Sequence, residues 1–309
     1  MIVTLTPNTA LDQTLLVPSF ALNQTIRADD MIFGMGGKPT DAAWILGEMG
    51  IPCLALGFAA GVFGRKAAEM LAARGVTVDF TWVGGETRLN TVIASAEGGQ
   101  TTITTSTLEV EPAQIDALRA RFTAALESMT CLVIGGSLPR GVTPALYVEL
   151  IGLARERGIP VIFDADEPNL SAGLAAQPDY VKPNRHELER LTGQTIDSRD
   201  DALAAARLVA ARYHTTPIVT LGKDGMVALD GERAYYLPAL DVQVVSSAGA
   251  GDAVLAGLAA SFARGGTLED GLRLGAAAAA AVCLLPATAD CRREDIERLL
   301  PEVRLERLD

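Results

Sequence analysis

The sequence predicts an α/β fold, a mostly parallel sheet with helices on both faces, and three observations carry that expectation. Short apolar runs of strand length alternate with longer segments whose apolar residues recur at helical spacing. The 309-residue chain is long enough to bury a large core as one unit with a small appendage. Its residues are 49% hydrophobic but only 5% aromatic, a balance that suits helices and strands packed closely through Ala and Gly.

In chain order, Ile2–Thr6, Cys53–Gly57, Cys131–Ile134, Val161–Asp164, Tyr180–Lys182 and Ile218–Leu221 read as body strands. Thr40–Met49, Ala113–Leu126, Thr143–Arg157 and Asp201–Tyr213 read as the helices between them. In such a sheet, ligands sit at the carboxyl ends of the strands. Two regions break the rhythm. Leu11–Phe33 and Arg88–Thr105 alternate polar and apolar residues without a helical pattern, so they predict a small antiparallel sheet inserted into the body and placed to act as a lid, or else ordinary edge strands. One domain spanning 1–309 follows, with the lid inserted as roughly 12–33 and 86–106.

Composition excludes several classes of function. A formal charge of −12 argues against a nucleic-acid or anionic-membrane footprint, and means that an anionic ligand must be drawn by a local cationic pocket. The longest apolar stretch, Leu274–Leu285, is too short to span a bilayer, and the first residues read as a strand rather than a leader. A cytoplasmic protein is expected. The four cysteines are scattered without a C-x-x-C pair, so buried thiols are expected. With only two histidines, acid–base chemistry falls to carboxylates.

Ser246–Asp252 follows an apolar β-like run (Val242, Val244, Val245) and opens a small-residue helix. Gly249 and Gly251 let backbone N–H groups approach a ligand, and the helix adds its positive end. Asp252 beside them suits a general base taking a proton from an attacking hydroxyl; as a bare turn it would be a helix cap. Gly34-Met35-Gly36-Gly37-Lys38 precedes a helix and offers backbone approach plus one charge, without Walker A spacing. Asn184 and Glu187, three apart at a helix start, read either as a capping pair or as holders of a hydrated Mg²⁺. Leu221–Gly225 is a turn that either lines a nucleotide or joins a hairpin, and Gly136-Ser137 ends a strand on the ligand side. Arg27 and Arg88 are either solvated or, with Lys38 around one cleft, would receive a phosphate, and Asp12 at the exit of the first strand either makes an Asx turn or accepts hydrogen bonds from hydroxyls.

Taken in order, Thr6-Pro7-Asn8-Thr9-Ala10-Leu11-Asp12, the Gly-Gly-Lys turn, Gly85-Glu86-Thr87-Arg88, Gly136-Ser137-Leu138-Pro139, Lys182-Pro183-Asn184-x-x-Glu187 and Gly249-Ala250-Gly251-Asp252 resemble the ribokinase-like PfkB carbohydrate kinase family, in particular its phosphosugar branch of 1-phosphofructokinases, tagatose-6-phosphate kinases and minor 6-phosphofructokinases. The resemblance implies a three-layer sandwich with a β lid. It implies ATP- and Mg²⁺-dependent phosphorylation of a primary hydroxyl on fructose 1-phosphate, fructose 6-phosphate or tagatose 6-phosphate, and a homodimer formed through the lids. Asp252 would be the base and the amides of Gly249, Ala250 and Gly251 the anion hole. Lys182, Asn184, Thr220, Gly222 and Gly225 would line the nucleotide, with Asn184 and Glu187 organising Mg²⁺ largely through water. Asp12, Gly37, Asp41 and Ser137 would meet the sugar, and Arg27, Lys38 and Arg88 its phosphate.

The chain departs from that pattern at two places. The family's Gly-Gly-Lys-Gly-x-Asn reads Gly36-Gly37-Lys38-Pro39-Thr40-Asp41, which removes an N–H donor and puts a carboxyl where an amide is usual. The usual Asp-x-Ser-Gly-Glu reads Asp164-Ala165-Asp166-Glu167-Pro168, adding acid near the cleft. A kinase for an unphosphorylated sugar or polyol, and a non-catalytic sugar or nucleotide sensor, are the alternatives.

Overall fold

All six expected body strands form in the computed structural model, which describes residues 1–105 and 107–308. The expected lid end at residue 106 and the last residue, 309, lie outside the described residues. Ile2–Thr6 lies inside the sheet, parallel to Cys53–Ala59 on one side and Cys131–Gly135 on the other. Val161–Asp164, Tyr180–Val181 and Thr216–Thr220 extend the parallel sheet beyond Cys131–Gly135, and an antiparallel edge follows from Met226–Asp230, Arg233–Leu237 and Glu306–Leu308.

Strand alternation divides the core. Ile2, Val133 and Ile162 face one apolar cluster, while Val3, Leu132, Ile134 and Phe163 face another on the opposite side. Helices Lys38–Glu48, Gly61–Ala73, Ala250–Phe262 and Leu268–Cys283 cover the first face; Pro112–Ala125, Ala145–Arg155, Arg185–Thr192 and Arg199–Tyr213 cover the second. The result is a three-layer sandwich. Ala250–Phe262 and Leu268–Cys283 approach so closely that a Cβ on Gly257 would strike the backbone of Gly275, which fixes the helix that begins at the Gly-Ala-Gly-Asp turn.

The second sheet contains Asp30–Gly36, Ala10–Val17, Arg88–Ser95 and Gln100–Thr104 in that order. Its two outer pairings are antiparallel; the central pair, Ala10–Val17 with Arg88–Ser95, runs parallel because the two segments enter from the same end of the body sheet. One expected strand is absent. Val242–Val245 forms no strand among the described residues, Val244 and Val245 are exposed, and the Val245 and Ser246 N–H groups donate to the Cys283 carbonyl. The strand before the loop, Arg233–Leu237, is already paired on both edges. Cys53, Cys131 and Cys291 are buried thiols, as expected, and Cys283 is half-buried; all four are unpaired. Among the described residues, no helix is long and apolar enough to cross a membrane.

Candidate functional site

The carboxyl ends of the body strands converge on two helix starts. Gly249 takes a left-handed conformation (φ 82°), where a Cβ would press on the Ala289 backbone, and this turn delivers Asp252 into the first turn of its helix. The Ala250 N–H donates to the Ser247 carbonyl (3.2 Å) and the Asp252 N–H to the Gly249 carbonyl (3.0 Å). Among the described residues, the Gly249 and Gly251 N–H groups find no protein acceptor. Two of the three expected amides are therefore open, while that of Ala250 is engaged.

Asp252 is enclosed by protein but keeps part of its surface open to the cleft. Burial pushes its carboxyl up to about 7, against the pull of Lys182 and Lys38 and with a push from Asp164. Lys182 is buried with its Nζ 2.8 Å from Asp164 Oδ2, and lies against Gly251, 3.4 Å from where a Cβ would stand. Lys38 has a different fate from the one expected beside Arg27 and Arg88. Its Nζ is held by Asp164 Oδ1 (2.8 Å), Asp166 Oδ1 (2.9 Å) and Glu187 Oε1 (2.7 Å). Burial alone would lower the Lys38 pKa; the three carboxylates reverse the shift and hold it raised. Burial and then Asp164 push Glu187 up to about 7. Burial also opposes ionisation of Asp166, but the hydrogen bond with Glu187 and the Lys38 charge bring it down to about 2.

Asn184 and Glu187 form the capping box anticipated as one of their two roles. Asn184 Oδ1 accepts from the Glu187 N–H (3.0 Å), and the Asn184 N–H donates to Glu187 Oε2 (2.8 Å). Both Glu187 oxygens are thus engaged, and no cluster of three metal-ligating side chains exists among the described residues. Each oxygen retains a lone pair, so this donor set fits a cation held through its water shell and not a direct cage. Thr220, at its strand end, donates its N–H to the Pro183 carbonyl and bridges Asn184, next to a short turn in which Gly222 and Gly225 both have positive φ. Lys182, Asn184, Thr220, Gly222 and Gly225 therefore line one side of the strand ends. Arg185 pairs with Asp224 on the turn's rim (2.6 Å).

The opposite side belongs to the second sheet and the Lys38–Glu48 helix. Asp12 is buried, and its Oδ1 accepts from Asn90 Nδ2 (2.7 Å) across the parallel pair. A Cβ at Gly36 would collide with that oxygen. Burial raises the Asp12 pKa against the hydrogen bond from Asn90 and the charge of Arg88. Arg88 faces Asp12, Asp41 and Asp166, and its buried Nε has no partner among the described residues. Asn90 Oδ1 and Asp41 Oδ1 are likewise buried with no protein donor. Gly37, at φ 97°, starts the helix whose first turn carries Asp41. Ser137 Oγ accepts from Asn8 Nδ2 (2.9 Å), and Thr107 holds Asn8 Oδ1 (2.7 Å).

The structure thus gathers Asp12, Asp41, Arg88, Lys38, Lys182, Asn184, Glu187 and Asp252, whereas Arg27 stands exposed in an irregular segment with no hydrogen bond or ion pair to them among the described residues. Asn90, Asn8 and Asp166 join the site without having been assigned a role. Asn90 carried a signal, a polar residue at an inward strand position. Glu86 and Thr87 turn out to be structural: Glu86 caps the Gly61–Ala73 helix and Thr87 Oγ1 holds the Ala60 N–H. A concavity of about 410 Å³ around Tyr180 and His214 opens at the other end of the strands, away from these groups.

A family model described as pfkB family carbohydrate kinase matches residues 8–295. The 1-phosphofructokinase of Haloferax volcanii is 34% identical over 301 residues, which cover 97% of this chain and 95% of that protein. The 1-phosphofructokinase of Borreliella burgdorferi is 29% identical over 99% of this chain and 98% of its own. Among solved structures, phosphofructokinase-2 from Escherichia coli in complex with substrates and products superposes with a TM-score of 0.88 at 27% identity, covering 97% of this chain and 98% of that one. A protein described as a possible 1-phosphofructokinase from Thermotoga maritima gives 0.88 at 26% identity, covering 100% and 99%.

Proposed function

Given that the chain belongs to the pfkB family of carbohydrate kinases and is a sugar kinase, we propose that it transfers a phosphoryl group from ATP to a primary hydroxyl of a fructose phosphate, with fructose 1-phosphate the favoured acceptor over fructose 6-phosphate and tagatose 6-phosphate. The observation that carries this reading is Asp252 in the first helical turn, its carboxyl raised toward neutrality beside two unclaimed N–H groups. A base with a pKa near the working pH combines the right protonation state with enough basicity to take the hydroxyl proton. The Gly249 and Gly251 amides and the helix dipole face the charge that develops on transfer, where fixed donors cost no reorganisation.

Arg88, with its unclaimed Nε, receives the phosphate already on the sugar. Asp12, Asn90 and Ser137 meet the sugar hydroxyls. Lys182, Thr220, Gly222 and Gly225 line the nucleotide. Asn184 and Glu187 would hold Mg²⁺ through its waters; bound there, it supplies neutralisation of phosphate charge. Lys38 acts at one remove, organising the acids that face the nucleotide and cation. The chain acts as one domain, the second sheet (Ala10–Val17, Asp30–Gly36, Arg88–Ser95 and Gln100–Thr104) closing over the acceptor. Exposed Phe20, Leu22, Met31 and Ile103 on that sheet and its loop support a homodimer formed through it. Four unpaired thiols accord with the cytoplasm.

Release of ADP, coupled to an optical readout, tests the proposal over fructose 1-phosphate, fructose 6-phosphate, tagatose 6-phosphate and free fructose. The expected result is the highest kcat/KM with fructose 1-phosphate, lowered by Arg88→Ala. A preference for free sugar that Arg88→Ala leaves untouched would move the assignment to an unphosphorylated sugar or polyol, the reading that the Asp41 carboxyl beside Arg88 favours.

A further inference from the structure

Two helix starts bring two acids together. Asp41 in the first turn of Lys38–Glu48 and Asp252 in the first turn of Ala250–Phe262 lie on packed helices, and their carboxyls face each other. Two ionised carboxylates have only lone pairs to offer, so a hydrogen bond between them requires one retained proton. The neighbouring groups decide where it resides. Asp252 faces the ammonium groups of Lys182 and Lys38, with Asp164 behind them. Asp41 is 4% exposed and faces the carboxyl of Asp12 from one strand and the guanidinium of Arg88 from the next, with no ammonium against it among the described residues, and its Oδ1 is buried with no donor there.

We propose that Asp41 is a neutral carboxylic acid that donates its proton to the Asp252 carboxylate and so positions the base, the pair working as a one-proton dyad. The proposal rests on the reading of Asp252 as base. In the reaction, the acceptor O–H proton passes to Asp252 as the new O–P bond forms and the nucleoside diphosphate leaves. Asp41 keeps its own proton, so the dyad passes from one proton to two and back. Asp41 is a positioning residue for the base. Above the pH at which the dyad loses its last proton, two adjacent carboxylates repel each other and the incoming phosphate, and activity falls.

The test is the pH profile of kcat/KM for wild type, Asp41→Asn, Asp41→Ala and Asp252→Asn, with folding checked by circular dichroism. Wild type should give a bell, falling about tenfold per pH unit beyond its alkaline limb. Asp41→Asn keeps an N–H donor but cannot ionise, so its alkaline limb should vanish while the acid limb stays. Asp41→Ala has no donor and should lose more kcat than Asp41→Asn at every pH. An alkaline limb unchanged in Asp41→Asn would overturn the dyad. Infrared spectroscopy of the folded proteins near pH 8 reads the same proton without turnover: wild type should show a carboxylic-acid C=O stretch that Asp41→Asn lacks, and its absence from wild type would equally overturn the dyad. Failure of the base assignment is distinct, because it shows as persisting activity in Asp252→Asn.

Discussion

On one wall of the cleft Lys38 meets three carboxylates within 2.9 Å, and Asp164, one of the three, also holds the buried Lys182. On the other wall, Arg88 Nε and Asn90 Oδ1 are buried with no protein donor or acceptor among the described residues. A buried polar atom left alone costs about 1–3 kcal/mol, so native proteins rarely tolerate several together unless something else satisfies them. The first wall is complete in itself and holds the strand ends, the capping box and the base helix in register. The second is incomplete, with the donors and acceptors that a sugar phosphate would satisfy. The contrast separates residues that build the site from residues that wait for a ligand.

Breaking the complete wall should cost stability most. Lys182→Ala leaves Asp164 buried against a single remaining cation, and removal of one partner from a buried ion pair costs about 3–5 kcal/mol. Calorimetry should show a much lower Tm, with Lys182→Arg recovering part of it. The incomplete wall should behave in the opposite way. Arg88→Ala removes a charge-assisted contact worth about 1.5–3 kcal/mol, raising the KM for a phosphorylated acceptor by about 10–100-fold while leaving Tm nearly unchanged.

Asp252 spans the two walls, and its titration gives a third contrast. Its folded pKa of about 7 lies above the ordinary 3.8, so the folded state binds the proton more tightly than the unfolded chain. The stability this contributes is complete below about pH 4 and is lost as pH rises through 7. Asp252→Asn stays neutral, so its Tm should decline less between pH 5 and 8 and exceed that of wild type at pH 8. A smaller effect tests the seam between the sheets. Glu86 accepts from the Val62 and Phe63 N–H groups (3.0 and 2.7 Å), so Glu86→Ala should cost about 1 kcal/mol, read by denaturant unfolding, with little change in kcat.

Much of this arrangement was legible in the sequence, and the gaps have physical causes. Val161–Asp164 declares itself by a short apolar run ending in Asp, and the Asn184–Glu187 spacing states its own cap. The Gly61–Ala73 helix has no such local start signal because its cap, Glu86, lies 24 residues beyond Val62. Val242–Val245 has the composition of a strand, but pairing depends on a free neighbouring edge, which composition does not encode. The expectation that Lys38 would bind phosphate came from its turn. The acids that claim it lie 126 to 149 residues away, brought near only by the strand order. Arg27 shares a segment with the second sheet but not its registered strands, and no hydrogen bond or ion pair ties it to the site among the described residues.

The most direct measurement sets turnover of Asp252→Asn against its affinity for fructose 1-phosphate, the first by ADP release and the second by calorimetry. The account predicts turnover lower by about 10²–10⁴-fold, with acceptor affinity nearly unchanged because the incomplete wall is intact. Turnover within about tenfold of wild type would contradict Asp252 as the base.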